Sequence, residues 1–201
     1  MLAVFAPQAR LAVVRAGMTA SDCGQRRLSD GFLLLALAEG LPLGQRQPSG
    51  PLSQRQPLGR PVDLGVTAAA IRAAVEARAP RRRDRELLAT LGIDLDEVRR
   101  RALPATRLDD PALWRLRRSR VRPLRVTLSG PAAEIVLDEG GRKAIEVARW
   151  ASHRGRRTLV EREDLLWGLL ADASSESVRI LRRGGADLGR LWADLRRWHR
   201  W

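Results

Sequence analysis

The stretch RKAIEVARWASHRGRRTLVEREDLLWGLL, residues 142–170, decides the fold. From Arg142 to Trp150 the apolar residues Ala144, Ile145, Val147, Ala148 and Trp150 recur at helical spacing, before a polar, basic segment from Ser152 to Arg157. A second apolar run, Leu165, Leu166, Trp167, Leu169 and Leu170, follows Glu161, Glu163 and Asp164, whose carboxylates favour a helix N-terminus. The pattern predicts an amphipathic helix, a turn and a second, more apolar helix.

A second copy of this hairpin lies near the N-terminus. Phe5 to Arg15 reads as its first helix, the polar residues Ser21 to Arg27 as its turn, and Phe32 to Leu37 as its second helix, led by Ser29 and Asp30. Leu33–Leu37 and Leu165–Leu169 are offset by 132 residues, and so are Phe5 and Leu137. An equal offset at both ends of the hairpin argues for a duplicated unit.

These residues resemble the Clp N-terminal repeat domain carried by ClpA- and ClpC-type protein unfoldases. Its signature runs aromatic-Thr-Pro-x-Ala, Leu-Gly-His, Gly-Thr-Glu-His and Leu-Leu-Gly-Leu. Phe5-Ala6-Pro7-Gln8-Ala9 is similar to the first element, and Glu163-Asp164-Leu165-Leu166-Trp167-Gly168-Leu169 to the last two. The resemblance covers most of the chain outside residues 40–63 and 104–130. It implies an all-α fold of two pseudo-repeats of short helices and a role in recognising proteins or peptides.

The expected organisation is a first repeat over 1–103, interrupted by a disordered loop at about 40–63 and extended by an appended helical copy at about 84–103. An Arg-rich linker over 104–130 and a second repeat over 131–201 complete it. The loop is read from composition: Gln45–Pro48 and Gln54–Pro57 are both QRQP, in a segment too polar to pack. The appended copy is read from Leu64-Gly65-Val66 and Leu91-Gly92-Ile93, with a looser relative at Gly185-Ala186-Asp187-Leu188. In each, a glycine suits the left-handed turn that ends one helix, and Thr67, Asp94 or Asp187 suits the cap of the next. Asp110-Pro111 predicts a short helix, Val126-Thr127-Leu128 a short extended piece, and the residues around Glu134 and Ile135 further helix, so strand content should be minimal.

The net charge is +14, and only one of the 37 basic residues, Lys143, is lysine. Residues 78–125 hold fifteen arginines against seven Asp and Glu, which is +8 of the total. Such a concentration fits nucleic acid; the arginine bias equally fits a GC-rich coding sequence with no ligand behind it. Cys23 is the only cysteine, which excludes an intrachain disulfide and a cysteine-rich metal site. No apolar run approaches the roughly 18 residues that span a bilayer, and no secretory signal pattern is present, so no membrane partner and a cytoplasmic location are expected.

Catalytic constellations are not found. A phosphate-binding loop needs Gly-Lys-Ser or Gly-Lys-Thr, and Lys143 is followed by Ala144. His153 and His199 fit no zinc-protease spacing, and there is no Gly-x-Ser-x-Gly elbow. The expectation is a non-enzyme with no cofactor and no metal: a protein- or peptide-binding module that acts as adaptor, regulator or decoy in Clp-dependent proteolysis. Its partners would be protein clients, or a Clp unfoldase or protease. The alternative is a nucleic-acid-binding protein using residues 78–125.

In some ClpC-type domains each repeat binds phosphorylated arginine, with the Glu of Gly-Thr-Glu-His on the guanidinium and the Thr at the helix start near the phosphate. By resemblance Glu163 takes the first role. Asp138 stands in the Thr position, where its charge opposes phosphate, and Arg162 is close enough in sequence to neutralise it. In the first repeat Gly31 and Ala6 stand at the two positions. Glu163 equally fits a helix-start carboxylate serving its own N–H groups. Phe5, Trp198 and Trp201 are candidates for a partner surface, the two tryptophans fitting a packing clamp as well. Purified protein is expected to show no saturable ATP turnover in a phosphate-release assay; saturable turnover would contradict the absence of a phosphate-binding lysine.

Overall fold

A computed structural model describes residues 2–40, 62–78, 87–93, 110–119, 125–131 and 134–199. The helices are α1 (Pro7–Asp22), α2 (Asp30–Ala38), α3 (Ala68–Glu76), α4 (Glu139–Arg154), α5 (Arg162–Leu170), α6 (Glu176–Arg183) and α7 (Leu188–Trp198). Four short strands accompany them: β1 (Arg27–Leu28), β2 (Arg115–Arg118), β3 (Val126–Ser129) and β4 (Glu134–Leu137). The Gln/Pro segment expected as a loop, most of the appended copy and Trp201 lie outside the described residues.

The two hairpins coincide at the predicted offset. α1 and α4 are both 16 residues long and start 132 apart; α2 and α5 are both 9 long, again 132 apart. Their turns match as well. Gly24 and Arg156, also 132 apart, both take positive φ, at 74° and 53°. The amides of Gln25 and Arg157 close the same bond, onto Ala20 O and Ser152 O.

Each α1-type helix is amphipathic and buries one face: Ala9, Ala12, Val13 and Ala16 in α1, and Ala144, Ile145 and Ala148 in α4, whereas Val147 is half-buried and Trp150, expected on the same apolar face, is 52% exposed. α2 is apolar all round and buried along its length from Asp30 to Leu37, which makes it the centre of the core. α5 lies against α4 so closely that a Cβ on Gly168 would stand 2.0 Å from the Ala144 carbonyl oxygen. One contiguous core takes residues from both copies, including Leu34, Ile71, Leu128, Leu166 and Leu181.

Expected caps are present where they are described. Gly65, Gly92 and Gly185 all have positive φ. Thr67 accepts a bond from the Ala70 amide and Asp187 from the Arg190 amide. Ser175 caps α6 through the Val178 amide, and Asp110 caps a 3-10 turn, Pro111–Leu113, through Ala112.

The fold is helix-rich but not all-α, which corrects the sequence expectation. The strands form one mixed sheet in the order β1-β4-β3-β2, with β1 parallel to β4 and the other pairs antiparallel. Residues 134–137, read as helix, are the strand Glu-Ile-Val-Leu, whose Ile135 and Leu137 are buried. Within the segment read as a linker, Arg115–Arg118 and Val126–Ser129 are paired strands. The extended piece expected at Val126-Thr127-Leu128 is β3, whereas arginine masked the alternation of β2; Leu116, Val126 and Leu128 face the core, and the residues between them face outward. Trp114 is buried beside Gly130 and anchors this region.

The C-terminal helix docks through a buried polar cluster. Arg157 pairs with Asp164 and lies 3.1 Å from His199 Nδ1; Asp164 Oδ2 also accepts the Glu161 amide at 2.8 Å. The Trp167 ring meets His199 and Trp192 edge-on, at 4.8 and 4.6 Å between centroids. Burial pushes the Asp164 carboxyl up to about 7, against the Glu161 amide and Arg157, with Glu161 and Glu163 adding to the rise. Burial, then Arg157, pushes His199 down to about 4.

The two shifts have opposite linkage. A raised carboxyl favours the fold at low pH and loses that contribution as pH climbs from about 4 to 7; a depressed imidazole does so above about 6.5 and loses it as pH falls towards 4. Their effects offset between pH 4 and 6.5. Denaturant titration of Asp164→Asn should therefore show stability falling on acidification below pH 6.5, whereas His199→Gln should show it falling as pH rises to 7. Identical pH profiles for both variants would contradict this linkage. Gly168→Ala should destabilise by more than about 2 kcal/mol through overpacking against Ala144, read from the same titration; a neutral result would contradict the close α4–α5 approach.

Candidate functional site

Two joints link the copies, and both are reciprocal. The Ala6 amide donates to Val160 O at 2.9 Å, and the Asp138 amide donates to Leu28 O at 3.1 Å. Each pair maps onto the other through the 132-residue offset. Phe5 bridges Val160 in parallel, as Leu137 pairs Leu28. The segment before the first helix of one copy thus pairs with the segment before the second helix of the other.

This crossing determines which predicted site residues meet. Asp138, the N-cap of α4, accepts the Gly141 amide at 2.7 Å and stands by the start of α2, where Asp30 Oδ1 would be 2.9 Å from a Cβ on Gly140. Glu163 sits in the first turn of α5, whose leading segment pairs with Phe5 instead. Asp138 and Glu163 therefore lie at different joints. Arg162 is buried and donates to Leu37 O at 2.6 Å; burial holds its guanidinium below the usual range. It serves the end of α2, so it is not the neutraliser of Asp138. Glu163 is itself buried.

Phe5, a candidate partner-surface residue, is 4% exposed and belongs to the core. Its bridge to Val160 directs the side chain inward. Trp198 is half-buried at the end of α7.

At the Asp138 joint the N-termini of α2, α4 and α6 converge on a pocket of about 320 Å³. Asp30, Asp138, Glu139, Asp172 and Glu176 line it, together with two cations, Lys143 and Arg179. A pocket of net charge −3 in a chain of +14 is the feature that sequence reading missed. Its carboxylates come from three places in the chain; Asp30, Asp138, Glu139 and Glu176 each alone read as ordinary helix-start residues, and Asp172 as a residue of the turn between α5 and α6.

The geometry ranks them. Asp30 is buried, and its Oδ2 accepts both the amide and the hydroxyl of Ser177 at 2.9 Å, tying α2 to α6. Burial raises the Asp138 carboxyl, and Asp30 and Glu176 raise it further, while the Gly141 amide and Arg27 act the other way. Lys143 is engaged by Glu139 at 2.9 Å. Glu176 receives the Arg78 guanidinium at 2.5 Å. One carboxylate of the wall thus already holds a guanidinium that comes from outside the lining, in addition to the lining Arg179.

Among the described residues no group of three or more His, Cys, Asp or Glu is arranged to hold a metal ion, and no helix is long and apolar enough to cross a membrane. Cys23 is a buried thiol.

No family model matches this chain, and no curated protein matches it by sequence. A solved structure does. The N-terminal domain of the caseinolytic protease-associated chaperone ClpD from Arabidopsis thaliana superposes with a TM-score of 0.51 at 18% identity, over 97% of this chain and 94% of that one. The chain has a Clp N-domain-like fold.

Proposed function

We propose that this protein is a non-enzymatic protein-binding module that captures basic segments of client polypeptides in the acidic pocket. As an adaptor, regulator or decoy it would bear on Clp-dependent proteolysis. The likeness to the ClpD N-terminal domain supports the setting. The observation that carries the reading is the pocket's polarity: five carboxylates against Lys143 and Arg179 in the lining, with Arg78 reaching one of them, Glu176, from outside it, where three helix starts converge.

Carboxylates pair well with guanidinium groups, and Arg78 Nη1 against Glu176 Oε1 at 2.5 Å is one such contact. Phosphoarginine is a poorer ligand for such a pocket. Two like unit charges about 4 Å apart repel by about 4 kcal/mol at an effective dielectric near 20, enough to offset the attraction of a helix start for phosphate. Glu163, the residue implied by family resemblance, is the competing centre.

Calorimetric titration with an arginine-bearing peptide and its phosphoarginine counterpart decides between them. The wild type should bind the unmodified peptide more tightly. Asp138→Asn keeps the cap on Gly141 but removes the charge, and with Glu176→Gln should weaken that binding at least about tenfold. Phosphoarginine should gain. Tighter binding of phosphoarginine by the wild type, or binding that follows Glu163→Gln and ignores both pocket substitutions, would sink the pocket reading.

A further inference from the structure

The outer face of the sheet carries charge of the opposite sign. Strand register sets Arg27, Val136, Thr127 and Arg117 side by side across all four strands, and Glu134, Ser129 and Arg115 in the next outward-facing row. Burial alternates accordingly: Leu28, Leu116, Leu128, Ile135 and Leu137 point into the core, while Arg27, Arg115, Arg117 and Glu134 are exposed. Arg125, one residue before β3, is exposed as well. Four arginines thus share a face with one carboxylate. Arg115, Arg117 and Arg125 have no carboxylate partner among the described residues, and Arg27 acts electrostatically on Asp138.

We infer that this face binds the phosphate backbone of double-stranded nucleic acid, independently of the pocket and of any client held there. Residues two apart on a strand recur at roughly 6.8 Å, which matches the through-space separation of neighbouring phosphates on one strand of a duplex, whose axial rise of about 3.4 Å is combined with the turn of the helix. Arg115 and Arg117 can therefore meet adjacent phosphates, and Thr127 and Ser129 place hydroxyls between them and β4. Guanidinium and hydroxyl groups are the usual phosphate contacts. Among the described residues the face carries no aromatic and only one aliphatic side chain, Val136. It thus lacks both the apolar anchor that holds a peptide and the stacking platform that favours single strands. A duplex, with one charge per about 1.7 Å of axis, matches it best.

The test measures binding of a fluorescent DNA duplex of about 20 base pairs between about 50 and 200 mM salt. Replacing Arg27, Arg115, Arg117 and Arg125 with Gln should reduce the slope of log K against log salt by roughly 3 to 4, about 0.9 per arginine. Arg115→Gln with Arg117→Gln alone should give about half that loss, and thermal melts should show that both variants remain folded. A control of equal net charge, with Gln at Arg149, Arg182, Arg183 and Arg190, all exposed on helices or their ends, should keep the wild-type slope. Equal losses in sheet variant and control would reduce the effect to net charge and overturn the inference. Equally effective competition by polyglutamate of matched charge would assign the face to an acidic polypeptide, and tighter binding of a single strand would remove the duplex; either result overturns it too.

Discussion

The structure depends on two backbone hydrogen bonds, Ala6 N–H to Val160 O and Asp138 N–H to Leu28 O. Neither copy closes its own joint. Because each donor lies in one copy and its acceptor in the other, the amphipathic helices α1 and α4 are held beside the apolar helices α2 and α5 of both halves. The shared core follows from that. So does the pocket, since the second bond continues the β1–β4 pairing that brings the start of α4 to the start of α2.

The helices were legible because their signals are local. Spacing marked most of the buried face of α4, the continuous apolar run marked α2, and Thr67 and Asp187 marked where α3 and α7 begin. The 132-residue offset, read from a few leucines, extends to whole helices and turns. Of the sheet, only β3 was legible, as the extended piece Val126-Thr127-Leu128. β1 has two residues, and its parallel partner lies over a hundred residues away; β2 and β3 alternate leucine or valine with residues that composition assigned to a linker. Missing the sheet also misplaced the site, because the crossing of segments between copies separates Asp138 from Glu163 and joins it to Asp30 and Glu176. Phe5 was misread for the same reason: its place in a bridge, invisible in sequence, turns it inward.

Charge is sorted in space more sharply than along the chain. Four of the pocket's five carboxylates gather at helix N-termini, where the helix dipole favours them singly, and burial, then the proximity of Asp30 and Glu176, raises Asp138. The arginines that gave the middle of the chain its basic character partly emerge as the outward rows of the sheet. Asp138 and Arg27 sit near the boundary between the two regions and act on each other. One small fold therefore presents an acidic recess suited to cationic side chains and a basic plane suited to phosphate.

The central claim is that the reciprocal joints make the two copies one cooperative unit. Native-state amide hydrogen exchange measures this directly, residue by residue. The amides of Ala6 and Asp138 should open with the same free energy as those of Leu34 and Leu166 at the centres of α2 and α5, the value for global unfolding. Exchange at either joint at least about 1.4 kcal/mol easier than at those leucines, a tenfold difference in opening, or protection that differs between the two copies, would contradict the account.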